Sequence, residues 1–445
     1  MRATTRAALS RRAALLTPLG AAGCSLLDNW FGENKPPLPG EREAILARRR
    51  GMQVDGDASR KIVLPPPVRN EAWPQTGGNP AHFMGHLSAG EALREAWSAS
   101  IGEGGGYRAK ILAQPLIVGD TVFAMDSDAV VSAFATADGH RRWRSPTTTD
   151  EDDSTNVGGG MAVENDTLYA VNGLGQLVAF DPANGKERYR IYLGAPARSA
   201  PTVADGRLFV TTIQEKLLAL AADDGRKLWE HQAPSSNSSM LGLPAPGYAD
   251  GLVVAGFGSG ELAALRAETG GVSWTDSLAS ARGRNSISDL SAIRGLPVLA
   301  ERRVYTIGLG GLLISSDLRS GRRLWEREIG GQDSPWAAGE WLFILNADQE
   351  LGAVSREDGR IAWVTELPRW DNPEKQQDPI YWFGPALVGD RLLISGTGQE
   401  ALSVSPYSGE ILGRQQLSGP ASLPPVVAAD TVYVITDDGK LLALR

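Results

Sequence analysis

The chain has 445 residues, with 44 Lys and Arg against 52 Asp and Glu, and one cysteine. A net charge of −8 without a basic stripe excludes an electrostatic nucleic-acid binder, and a lone cysteine excludes an intrachain disulfide. With 22% charged and 42% hydrophobic residues, the composition is that of a globular protein with a large core.

Residues 1–23 read as an export signal. Arg2, Arg6, Arg11 and Arg12 precede the apolar run "AALLTPLGAAG", no acid interrupts them, and the run is too short to span a bilayer. Ala22 and Gly23 before Cys24 resemble the bacterial lipobox, where cleavage precedes the cysteine and its sulfur is acylated; Ala21 stands where that motif usually has Leu. The adjacent arginines of "SRRAALL" also fit twin-arginine export. Removing the four arginines with the signal takes the formal charge from −8 to −12. No later stretch approaches eighteen uninterrupted apolar residues, so lipid on Cys24 is the expected membrane attachment, and Ser25 after it favours the outer membrane.

Residues 24–95 read as the lipidated cysteine and a proline-rich tether. "KPPLPGE" and "VLPPPVR" favour extended, unpaired backbone and no apolar period is sustained. A flexible chain of this length has a root-mean-square span of roughly 45 Å, enough to hold the body clear of a membrane. Trp73 and Phe83, in "NEAWPQTGGNPAHF", are candidates for pinning part of it to the body.

From residue 96 the chain repeats. Successive copies include "GDTVFAMDSDAVVSAFATADGHRRW", "NDTLYAVNGLGQLVAFDPANGKERY" and "ERRVYTIGLGGLLISSDLRSGRRLW". In each, a tight turn leads into an alternating strand, a second turn into another strand, and a glycine turn (Gly139, Gly185, Gly225, Gly270, Gly321, Gly359, Gly409) into a strand carrying an aromatic. The aromatics are Trp143, Tyr189, Trp229, Trp274, Trp325 and Trp363; Gly413 takes the seventh place. A fourth strand precedes each unit, often near a proline. Four short antiparallel strands in about 45 residues form a β-propeller blade. Trp97, before the first full unit, marks the strand that the last unit, ending at Arg445, lacks. The expectation is an all-β, eight-bladed propeller over 96–445, closed by both chain ends, with the aromatics packed between blades.

Candidates for catalysis are sparse. His82, His86, His140 and His231 are scattered, so no metal site is expected, and there is no Gly-x-Ser-x-Gly elbow or free catalytic thiol. Length varies mainly between each aromatic strand and the next unit: 145–156, 234–243, 276–296 and 367–384. These connections open on one face of the ring, where a rigid scaffold presents binding residues. Met240, Leu241, Leu290, Ile293 and Trp370 read as exposed apolar residues there.

The lipobox, the tether and units such as "LLISSDLRSGRRLW" and "QLVAFDPANGKERY" resemble the BamB family, lipoproteins of the outer-membrane β-barrel assembly machinery. The resemblance implies a non-catalytic scaffold without cofactor, lipid-anchored on the periplasmic face of the outer membrane. Its implied partner is a BamA-like barrel protein, through that protein's periplasmic domains; separately, the outer blade strands offer edges for β-augmentation by unfolded outer-membrane proteins. It places the BamA contact on Met240 and Leu241 in "SSMLG" and on Leu290, Ser291, Ala292, Ile293 and Arg294 in "SDLSAIRG". The chain departs from the pattern where two acids of the second loop fall at Ala292 and Arg294 and a basic residue of the first falls at Leu241. The blade repeat is shared with quinoprotein dehydrogenases, whose paired cysteines and calcium-binding acids have no counterpart here. The other alternative is a propeller that binds another envelope protein or a polysaccharide.

Overall fold

The computed structural model describes residues 51–56, 61–106, 109–149, 156–236, 242–278 and 292–445. The export signal and Cys24 lie outside the described residues. Within them there is no helix, and eight four-stranded antiparallel sheets follow one another. The first blade runs from its inner to its outer strand as Leu116–Val118, Thr121–Met125, Val130–Ala135 and Arg141–Pro146. The seventh is Trp382–Val388, Arg391–Gly396, Glu400–Val404 and Ile411–Gln416. The eighth is composite: Val426–Ala428, Thr431–Ile435 and Lys440–Leu444 pair in order, and Glu95–Ser100 adds the outer strand along Lys440–Leu444. The ring is the eight-bladed propeller expected from the repeats, closed by both chain ends.

Strand pairing sets up the contacts between blades. In the first seven blades a register shift follows the residue opposite the aromatic position, as at Ala133/Phe134 and Ala264/Leu265. The facing residue is small, with Ala133 opposite Trp143, Ala264 opposite Trp274 and Ser315 opposite Trp325, leaving room for the ring. Each aromatic then reaches the glycine turn of the following blade. Trp97 donates Nε1–H to Thr136 O, Trp143 to Pro182 O, Trp229 to Ala267 O, Trp274 to Leu318 O, Trp325 to Arg356 O and Trp363 to Pro406 O, all at 2.8–2.9 Å. The Tyr189 hydroxyl donates to Ala222 O at 2.9 Å. Every acceptor lies three residues before that turn's glycine. The sequence supplied one reason for these glycines, a positive φ; the ring of the preceding blade supplies a second, because an added Cβ would meet it at 3.0 Å or less.

The structure departs from the sequence reading in the tether. Residues 70–87 line the central channel and bond to the innermost strand of every blade. Asn70 accepts from Ala429 and donates through Nδ2 to Val427 O (2.8 Å) in the eighth blade. Trp73 exchanges two backbone bonds with Ile117 in the first. Pro74 O accepts from Val163 N–H, and Gln75 Oε1 from Val203 N–H, in the second and third. Pro80 O and Ala81 O accept from Tyr248 and Leu299, Gly85 O from Trp336 Nε1–H, and Leu87 N–H donates to Leu387 O. An innermost strand has an unpaired edge, whose N–H and C=O groups need partners away from bulk water. This strap supplies one or two to each blade in turn. Trp73 and Leu87 are buried, and upstream Met52 is buried against the sixth blade, where its N–H donates to Glu350 Oε2 at 2.8 Å.

Candidate functional site: the loop face and central cup

The strap forms the floor of a cup that opens where the long connections meet the inner strands. The cavity measures about 190 Å³; Trp73, Thr76, Gly77 and His82 line its floor, and Leu243, Arg294, Leu296, Ser334 and Leu423 are among its wall residues. Its titratable and charged lining residues, among those described, are His82, Arg198, Arg294 and Asp333. Arg294 donates to Gln332 Oε1 (2.9 Å) and Arg198 to Val157 O (2.9 Å). Burial pushes the Asp333 carboxyl up to about 7, against the opposing effects of the Gly384 N–H bond and Arg294. Burial lowers His82 to about 4, so it is neutral at physiological pH, with Nδ1 facing Pro297 O at 2.8 Å.

The candidate residues on the two connections fall into three groups. Met240, Leu241, Leu290 and Ser291 lie outside the described residues. Ala292 and Ile293 are fully buried, which corrects the expectation that Ile293 is exposed. Ile293 N–H donates to Phe257 O (3.0 Å), and its side chain packs with Val254, Trp274 and Leu299 between the fourth and fifth blades. Its β-branched apolar chain caps a seam, and an isolated bridge to Gly308 holds it there. Arg294 turns into the cup. Trp370 is half-buried in a small hairpin, Trp370–Asn372 with Gln377–Pro379, which the sequence reading treated as a plain loop.

The donor set does not fit a calcium-held quinone. Among the described residues Asp333 is the cup's one carboxylate and no group of three His, Cys, Asp or Glu could hold a metal, and Cys24 is the chain's single cysteine.

Fold and repeat define the class: an eight-bladed propeller of the pyrroloquinoline-quinone-like repeat type. A family model described as outer membrane protein assembly factor BamB matches residues 127–365 and 370–445. The chain belongs to that family. It is 26% identical over 355 residues to the outer membrane protein assembly factor BamB of Shewanella oneidensis, covering 78% of this chain and 87% of the relative. The Bordetella pertussis BamB is 24% identical over 358 residues, covering 80% and 88%. Among solved structures, BamB from Moraxella catarrhalis superposes with a TM-score of 0.67 at 19% identity, over 79% of this chain and 99% of that one. The quinohemoprotein alcohol dehydrogenase of Comamonas testosteroni reaches 0.63 at 14% identity, over 85% and 81%, a likeness of fold alone.

Proposed function

We propose that the protein is a non-catalytic lipoprotein scaffold of outer-membrane β-barrel assembly, anchored through Cys24 on the periplasmic face of the outer membrane. It docks the periplasmic domains of a BamA-like barrel protein on its loop face, through Met240, Leu241, Leu290, Ser291 and Arg294. The observation that carries this reading is the family match across 127–365 and 370–445. The gathering of the long connections around one mouth of a rigid ring supports the choice of face, and its outer blade strands offer edges to unfolded barrel clients. Capture of a tagged chain from crosslinked outer membranes tests it. Recovery of the barrel protein with the wild type and its loss on Met240→Asp with Leu241→Asp is expected; equal recovery with both removes the assigned face, and absence of the barrel from the wild-type capture removes the function.

A further inference from the structure

Seven of the eight seams are closed by an aromatic from the preceding blade; the seam between the seventh and eighth is not. There the outer strand carries Gly413, opposite Ser403, which in turn neighbours Leu393. In the first blade the same row reads Trp143, Ala133, Phe123. The absence of an aromatic has a topological cause: the eighth blade takes its outer strand from the amino-terminal end, so it has no third-to-fourth-strand turn, and no turn carbonyl, for an indole to reach. The space is not filled by other means. A cavity of about 110 Å³ remains, bounded by Leu393, Ser403 and Gly413, with Arg391 and Arg414, on one side and by Leu93, Val432 and Leu444 on the other. A closed aliphatic cavity of about 150 Å³ holds benzene, so at about 110 Å³ this seam encloses a ring only in part, the rest lying over the open edge at Gly413.

The seam opens beside an unpaired edge. Ile411–Gln416 is the outermost strand of its blade, and Leu412 on it is 56% exposed. A Cβ built on Gly413 meets nothing within 4 Å. A residue on an added strand opposite an edge glycine leans across the missing side chain, the geometry of aromatic rescue, and extended segments add readily to such edges.

We propose that this seam is a binding slot for one aromatic side chain of a partner polypeptide, presented by an extended segment paired along Ile411–Gln416. The seven internal aromatics show the shape of group that fits between neighbouring blades, and the eighth place is left for a residue from outside. The inference rests on the reading above that outer blade strands offer edges to extended segments, narrows it to one seam and one kind of side chain, and is independent of the loop face.

The test titrates the mature chain with N-acetyl-tryptophanamide, with free indole, and with a short extended peptide carrying a central tryptophan or, as control, alanine. Saturation-transfer NMR should show millimolar binding of both small probes and at least tenfold tighter binding of the tryptophan peptide than of its alanine twin. Gly413→Trp, which supplies the missing ring internally, should fold with an unchanged or raised Tm and weaken all binding at least tenfold. Ser403→Phe closes the slot from the adjacent strand and should do the same if the first variant folds poorly. Failure of the wild type to bind, equal binding by wild type and a folded variant, or equal binding of the two peptides would overturn the proposal, as would binding of indole without N-acetyl-tryptophanamide.

Discussion

The indole of Trp229 lies over Gly270 of the next blade so closely that a Cβ on that glycine would sit 2.7 Å from Trp229 Cδ2, while Nε1–H donates to Ala267 O at 2.9 Å. Gly270 has a φ of +71°, so the position excludes a side chain twice, by backbone conformation and by the ring above it. Gly206, in a hairpin turn, has a nearly equal φ of +69° but nothing within 4 Å of its Cβ position. Gly206→Ala should therefore cost about 1 kcal/mol, the conformational cost alone. Gly270→Ala should cost about 2–4 kcal/mol, because overpacking adds to it. Equilibrium urea unfolding of both variants measures the difference, and equal losses would mean that the ring contact contributes nothing.

Trp73 separates a strap from a free tether. Only 2% of it is exposed, and its backbone exchanges two bonds with Ile117 of the first blade. Truncating a buried tryptophan costs about 3–5 kcal/mol, so Trp73→Ala should lower the unfolding free energy by that order and speed proteolysis within residues 61–95. In a chain where this region is a loose linker, the same substitution would change stability by less than about 0.5 kcal/mol.

The repeat was legible because a blade is periodic: alternating strands, a glycine turn and an aromatic recur, and Trp97 with Arg445 showed how the ring closes. The strap was not, because it bonds to each blade through one or two groups and then moves on, so no strand or apolar period develops between Pro74 and Leu87; Trp73 and Phe83 alone hinted at it, the first buried and the second packed beside Arg356. Ile293 misled for a related reason. With its neighbours in "SDLSAIRG" it read as part of an exposed binding loop, and only the fold shows that Ala292 and Ile293 re-enter the seam between two blades. Asp333 had no sequence signal, since its perturbation comes from burial beside Gly384 and Arg294, residues distant in the chain.

Asp333 gives the fold a pH dependence whose sign follows from its raised carboxyl. Its ordinary value is 3.8 and its folded value about 7, so between these the folded state holds a proton that the unfolded state has lost. Its contribution is most favourable below about 4, declines as pH rises to about 7 and is flat above that. Asp333→Asn keeps an oxygen for the Gly384 N–H but cannot ionise. Relative to wild type, the variant should gain roughly 2–3 kcal/mol between pH 5 and pH 8, at about 1.4 kcal/mol per unit below 7. His82 titrates in the opposite sense, losing stability as pH falls from 6.5 towards 4, and cancels in the difference. Chemical denaturation of the pair across that range measures the slope; a constant offset would show that Asp333 ionises freely.

Ile293 and Met240 should respond differently to the same substitution. Ile293 has no exposed surface and contributes to the cluster of Val254, Trp274 and Leu299. Placing a carboxylate there buries a charge without a partner, a cost of several kcal/mol that exceeds a large part of ordinary domain stability. Ile293→Asp should thus fail to accumulate as folded protein, or should melt at least 10 °C below wild type. Met240→Asp, on a connection assigned to the partner, should leave the melting temperature within about 2 °C and reduce only capture of the barrel protein. Circular dichroism melts beside the crosslinking assay separate the two effects. A folded Ile293→Asp chain would show that the seam tolerates charge, and a Met240→Asp chain that melts early would place Met240 in the core rather than on the docking face.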